Sequence, residues 1–326
     1  MWVQEFVSEF KRSTVTAPRT EKAQSLKEIN LPKCLYKYRT VNTHSLTNLQ
    51  NDTIWICSPE EYNDPYDCLF KISESDVVAA AHKNLLPDFI KLFKLDRYVP
   101  RDLVKSARLS SDPIKSVIDG LPSGLEFPSN ADPVKMQQFT SMQIPKIVKD
   151  MIEFVHSIRN AIKICSFSEL NNSILMWSHY ANYHKGFCVE YDIQKLPPSH
   201  ALRRNMYPVV YSAKLFDLTR WSEKLVRTGG KEFNPVLAIL AMMRKYKDWR
   251  YEREWRFILV EPRKASDRAM EVPRPSKIFL GSRINDTDRA KLIDICVEKG
   301  IEVWVMEKIR GAFELKATQL VCPYKS

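Results

Sequence analysis

Two carboxylates one residue apart, in Glu252-Arg253-Glu254-Trp255-Arg256, form the densest chemical feature of the chain. Extended backbone repeats its side-chain direction every second residue, which would put Glu252, Glu254 and Arg256 on one face. There one carboxylate can orient a substrate hydroxyl while the other takes a proton or stabilises positive charge. Their mutual repulsion raises one of the two pKa values. The same residues would also make a self-neutralising Glu–Arg ladder on a sheet face, although flanking Trp249, Tyr251 and Trp255 argue against a wholly exposed one.

A second concentration runs from Asn171 to Asp192 and reads as capped helix, glycine stop and strand. Asn172 or Ser173 can accept from free N–H groups at the helix start, and Gly186 suits a left-handed position after Lys185. At about 100° per residue, Trp177, Tyr180, Ala181 and His184 share a side, with His179 and Tyr183 pointing elsewhere. So many imidazole and phenol groups would make a polar wall to a cavity. A buried helix whose His and Tyr groups bond to neighbouring backbone is the other reading.

Two further groups precede these. Tyr36-Lys37-Tyr38-Arg39 sets cations among aromatic rings, suited to a pyrophosphate or to stacking on a base; a structural Arg39 paired with Asp64 or Asp67 would look the same. Ser58 opens the turn-rich loop that holds Asn63-Asp64-Pro65-Tyr66-Asp67, where a ligand-binding loop is expected behind a strand end. Two carboxylates and one amide are few for a hard cation, and His179 and His184 are five apart rather than four, so no metal is expected. Glycine-rich phosphate loops, nucleophile elbows and kinase signatures are absent.

The positioning elements follow from periodicity. Strands are expected at 34–39, 53–57, 162–167, 187–191, 207–211, 255–260, 278–280 and 301–306, with helices at 43–51, 235–246 and 288–299. Between about 73 and 160 the spacing turns helical, broken by a Pro-, Ser- and Asp-rich joint at 121–133. The expected fold class is α+β, a mixed central sheet with flanking helices and a helical insertion between the early and middle strands. Residues 1–30 read as a peripheral segment and 31–326 as a single domain.

Composition narrows the class. The chain has 326 residues, 44% of them hydrophobic and 8 of them glycine, which suits a folded globular protein. No apolar run reaches membrane-span length and no apolar signal core opens the chain, so a cytoplasmic protein that inserts in no membrane is expected. Seven cysteines without a Cys-x-x-Cys, Cys322 the last of them, read as reduced thiols. Fifty Lys and Arg against 39 Asp and Glu give a net charge of +11, a tilt toward phosphate-bearing partners.

Taken in order, Tyr36–Arg39, Ser58 with Asn63–Asp67, Met176–Ala181 with Gly186-Phe187, and Trp249–Arg256 resemble the bacterial DUF2971 family, a domain of unknown function. The blocks cover roughly Leu31 to Met306, and the resemblance supplies no activity. A looser similarity is to ADP-ribosyltransferases of the Arg–Ser–Glu type, carried by Arg39, Ser58 and Glu252-Arg253-Glu254 in that order. It implies an Arg on the NAD pyrophosphate, aromatic rings on nicotinamide, and a final Glu that binds the ribose 2′-hydroxyl and stabilises an oxocarbenium-like transition state. The Ser-Thr-Ser triplet of those enzymes is missing, and Ser58 precedes proline.

The leading expectation is an intracellular enzyme that uses NAD or another nucleotide, by ADP-ribosyl transfer or NAD cleavage. A toxin or phage-defence role is compatible with such chemistry. The catalytic candidates are Glu254, Glu252, His179 and Tyr180. The cofactor-binding candidates are Tyr38, Arg39, Ser58, Asn63, Asp64, Trp177 and Arg256, and the acceptor would be a protein or nucleic acid. Two alternatives stand beside it: a nucleic-acid-binding protein or metal-dependent nuclease, and a noncatalytic nucleotide sensor.

Overall fold

The computed structural model describes residues 2–12, 21–121, 132–230, 234–261 and 266–321. Cys322 and most of the 121–133 joint lie outside them. The first strands are β1 Cys34–Arg39, β2 Thr53–Ile56, β3 Phe70–Lys71, β4 Ile162–Ser168, β5 Phe187–Asp192, β6 Met206–Pro208 and β7 Val210–Ser212. The rest are β8 Phe216–Asp217, β9 Arg244–Tyr246, β10 Glu254–Val260, β11 Arg268–Glu271, β12 Lys277–Leu280, β13 Glu302–Lys308 and β14 Leu315–Val321. The chain divides into two compact units, one of 1–69, 160–215 and 236–326, the other of 70–159 and 216–235.

The larger unit is built on an eight-stranded mixed sheet in the order β14-β13-β12-β5-β1-β4-β10-β6. Only β12 and β13 run parallel in it, joined by the helix Asp286–Lys299. This is the α+β sheet expected from the sequence. The pleat alternates Leu35, Phe187, Val189 and Ile278 into a core on one face. On the other, Tyr38, Trp177, Cys188 and Phe279 pack together.

One irregularity decides where a site can form. β5 pairs with β1 along six positions, whereas β1 meets β4 at a single one, Tyr36 opposite Ser168. Beyond it the two strands splay. Farther along the same edge of β4, Ile164 pairs with Cys57, just past β2. Between these points the Ser166 carbonyl lacks a strand partner, and the Lys37 ammonium donates to it at 2.8 Å. A buried carbonyl must find a donor, so Lys37 both closes and props the fork.

Within the expected peripheral segment, one helix packs on residues of the larger unit. In the helix Trp2–Lys11, Phe6 and Phe10 are buried and Phe10 packs on Tyr207, while Trp2 stacks on Trp255 at 5.9 Å. An aromatic residue every fourth position makes a stripe that needs a core to cover it. Five strands, β3, β8, β9, β11 and β14, have no counterpart in the expected list, and β9 lies where the expected helix 235–246 was to continue past Met242.

The smaller unit packs the helices Glu74–Leu92, Pro113–Asp119 and Ile144–Asn160 around Val77, Phe89, Val117, Phe139 and Val148. It takes in the return segment 216–235, which the helical spacing at 73–160 does not reveal. β3 and β8 pair within it, and the helix Thr219–Thr228 ends on Gly229 in the left-handed region.

Candidate active site

The fork between β1 and β4 opens into a cavity of about 420 Å³, within the larger unit and lined by its residues alone. That is the size of a small-molecule site. Of the sequence candidates, Tyr38, Arg39, Asn63, His179, Tyr180, Glu252 and Glu254 line it.

The base of the cavity is a buried ionic cluster that β10 begins. Glu252 ends a 3-10 turn, Arg253 takes φ 43°, and Glu254 starts the strand. Glu252 is therefore not on the strand, as the extended reading had it. Glu254 and Arg256 do share a face, and Lys245 of β9 draws Glu252 to them. The Lys245 ammonium lies 2.5 Å from Glu252 Oε2, 2.8 Å from Glu254 Oε2 and 3.5 Å from Asp67 Oδ2. Arg256 donates through Nε to Glu254 Oε1 at 2.6 Å and through Nη2 to both Asp67 oxygens at 2.8 Å. Its Nη1 donates to the Met242 carbonyl and to Cys68 Sγ.

All five charged side chains are under one-tenth exposed, so water screens little of the interaction between them. Burial alone would raise the Glu254 carboxyl, but Arg256 and then Lys245 outweigh it and hold the group well below the usual carboxylate range. Burial would likewise lower Lys245, and Glu254, Glu252 and Asp67 hold it charged. Glu252 goes the other way. Burial first, then the neighbouring Glu254 charge, push it up from 4.5 to about 7 against the pull of Lys245 and Tyr180. Three carboxylates face two cations in this cluster, and protonating Glu252 removes the surplus charge. Two carboxyls driven apart in this way give one group that exchanges a proton near neutrality and one that stays ionised.

The helix Ile174–Tyr180 supplies the opposite wall. Ser173 caps it, accepting from Met176 N–H. Tyr180 donates its phenol to Glu252 Oε1 at 2.6 Å, and the exposed His179 ring lies 6.3 Å from those of Tyr180 and Tyr251. Both helix readings apply, to different sides. Met176, His179 and Tyr180 face the cavity, while Trp177 is fully buried, donates to the Asn171 carbonyl and stacks on His184. Trp177 is thus a core residue and not a ligand contact.

The helix stops differently from the glycine stop expected at Gly186. Asn182, Tyr183 and His184 take the positive φ values, 46°, 55° and 66°. Gly186 is needed for space: a Cβ there would stand 2.1 Å from the Arg39 carbonyl. Gly281 likewise leaves room for the His184 carbonyl. These two contacts seat the helix end against β1 and the end of β12, and bring Tyr180 beside the strand that carries Tyr38 and Arg39.

The remaining candidates fall into place unevenly. Tyr38 donates to the Leu170 carbonyl, packs edge-on against Trp177 and lines the cavity. Arg39, at the end of β1, is half-buried and makes no side-chain hydrogen bond or ion pair among the described residues, so the expected alternatives of Asp64 and Asp67 as its partners do not hold. Asp64 accepts from Trp249 Nε1 at 2.8 Å and does not line this cavity. Ser58 caps the turn Pro59–Glu61, and its N–H donates to Asp267; it too lies off the cavity. Arg256 is wholly buried behind the acids. It orients them and does not meet a ligand. The residues that sequence reasoning missed are Lys245, Asp67 as a partner of Arg256, and Ser166, whose hydroxyl is 3.0 Å from Tyr62 Oη. Among the described residues no cluster of three or more His, Cys, Asp or Glu is set to hold a metal ion.

No helix among the described residues is long and apolar enough to cross a membrane. No curated protein and no solved structure matches the chain. One family does: residues 176–257, from the helix that carries His179 and Tyr180 to the strand that carries Glu254 and Arg256, match the family described as Protein of unknown function (DUF2971), and over that segment the resemblance read from the sequence is shown.

Proposed function

We propose that the cavity binds a nucleotide, NAD foremost, and that the protein is an enzyme of ADP-ribosyl transfer or NAD cleavage. The observation that carries this reading is the divided carboxylate pair at the cavity wall: Glu252 meets the Tyr180 phenol and Lys245, while Glu254 is held by both Arg256 and Lys245. Cleavage of a ribosyl–nicotinamide bond leaves its electron pair on the ring nitrogen and builds positive charge at the sugar. A wall with surplus carboxylate stabilises that charge. Glu252 then takes the proton of the acceptor hydroxyl or water as its oxygen bonds to the sugar carbon. Arg39 supplies the cation for the pyrophosphate, and the rings of Tyr38 and Tyr180 flank the sugar or nicotinamide.

This assigns the reactive carboxylate differently from the looser resemblance, in which the second Glu of Glu-x-Glu acts. Glu254 is fully engaged by Arg256 and Lys245, whereas Glu252 keeps an exchangeable proton. Arg256 becomes a positioning residue. Mass spectrometry of nucleotides retained by the purified protein, followed by incubation with NAD, tests the reading. Retained NAD or ADP-ribose with release of nicotinamide supports it. A protein that retains and consumes no nucleotide refutes it, and one that holds a nucleotide unchanged after long incubation is a sensor instead.

A further inference from the structure

The cavity has a second region whose chemistry the acid cluster does not use. In β2, Ile54 and Ile56 are buried in the core of the larger unit. Strand alternation therefore turns Trp55 and Cys57 to the other face, and both line the cavity. Trp55 is 45% exposed there, whereas Trp177 and Trp255 are buried. Leaving so much indole in water forgoes burial energy that a flat ligand would recover. Asn63, whose side chain ends in an amide, lines the same cavity. The cavity is also long. It is lined from the Cys57–Ile164 bridge to Ser168, whose hydroxyl donates to the Glu252 carbonyl. These points lie four residues apart on β4, or roughly 13 Å of extended strand.

We infer that Trp55 and Asn63 form a subsite for the purine base of the bound nucleotide, with the indole stacked on the base and the amide on its edge. The inference rests on the nucleotide reading of the cavity and adds the identity of the base. An indole offers a stacking face to any base, and an amide pairs a donor with an acceptor, as the adenine edge does. Arg39 is left for the phosphates and Glu252 for the sugar bond. A cavity that treated both halves of a dinucleotide alike would not need this division of residues.

Calorimetric titration of the full chain with AMP and with nicotinamide mononucleotide tests the subsite, because the second ligand keeps the phosphate and lacks the purine. Trp55→Ala is expected to weaken AMP binding roughly tenfold or more and to leave nicotinamide mononucleotide within about twofold. Trp55→Phe keeps a stacking face and most of the AMP affinity, and Asn63→Ala weakens AMP selectively. Equal losses for both ligands, or none for AMP, overturn the subsite, as does a wild-type protein that binds nicotinamide mononucleotide but not AMP. A wild-type protein that binds neither overturns the nucleotide reading and the subsite together.

Discussion

Tyr180 donates its phenol to Glu252 across 2.6 Å, joining residues 72 positions apart. This bond puts the helix that lines the cavity in direct contact with the carboxyl that burial and the neighbouring Glu254 push up. Burial, with the Glu252 charge beside it, keeps the phenol protonated well above its ordinary range, so it remains a donor. It favours the ionised form of Glu252 and so limits the rise in that group's pKa.

Tyr180→Phe removes that donor and keeps the ring. The Glu252 pKa should climb above 7, by about one unit for a lost hydrogen bond to a charged group. The midpoint of the pH–rate profile, or a carboxyl-carbon NMR titration, reads the shift. A midpoint that stays in place or falls would show that the phenol does not tune Glu252.

Glu252→Gln tests the same group through stability. Between about pH 4.5 and 7 the folded chain holds a proton on Glu252 that the unfolded chain has released. The stabilising effect is full below 4.5 and is lost as pH rises through the folded value, so this group alone makes stability fall with rising pH in that window. The variant should lack that fall when chemical denaturation is compared at pH 5 and pH 7. A slope equal to wild type in the two proteins would mean that Glu252 titrates normally.

Arg256→Ala leaves Glu254 and Asp67 buried without their shared guanidinium. Such a change costs about 3–5 kcal/mol, and Arg256→Lys recovers only part, because a single ammonium cannot repeat the paired bonds to Asp67. Urea unfolding measures both. A loss below about 1 kcal/mol would contradict the central place given to Arg256.

Gly186→Ala forces a methyl toward the Arg39 carbonyl, whose position β1 pairing fixes. Overpacking of this kind costs about 1–3 kcal/mol. The displaced helix end should also reduce turnover more than Gly229→Ala, which meets no atom and tests only the left-handed backbone at the end of a helix of the smaller unit. Melting temperature and turnover measured together separate the two effects.

The sheet was readable because β5 alternates Phe187, Val189 and Tyr191 with Cys188, Glu190 and Asp192, and because β4 and β10 are short, apolar-rich runs buried along most of their length. β14 was not, since an edge strand facing solvent carries Lys316, Thr318 and Gln319 and shows no apolar period. In the site, Glu252 and Glu254 stood out by spacing and by their tryptophans. Lys245 did not: it fell in the last turn of the expected helix 235–246, whereas residues 244–246 form β9, paired with β7, and set Lys245 among the acids. Arg256 was legible as a partner of the acids but not as their buried pivot. Whether a cation meets a ligand or holds an anion depends on depth, which residue type does not encode. Trp177 was misplaced for a similar reason, because a seven-residue helix with polar groups all round does not declare which side is covered.

The central claim is that Glu252 does chemistry on a nucleotide. The direct measurement is nicotinamide released from NAD by the purified wild-type chain and by Glu252→Gln, quantified by mass spectrometry with water and candidate acceptors present. The account expects release by wild type and a loss of about a hundredfold or more in the variant, whose fold and AMP binding persist. Equal release by the two proteins, or none by wild type with any acceptor, would contradict it.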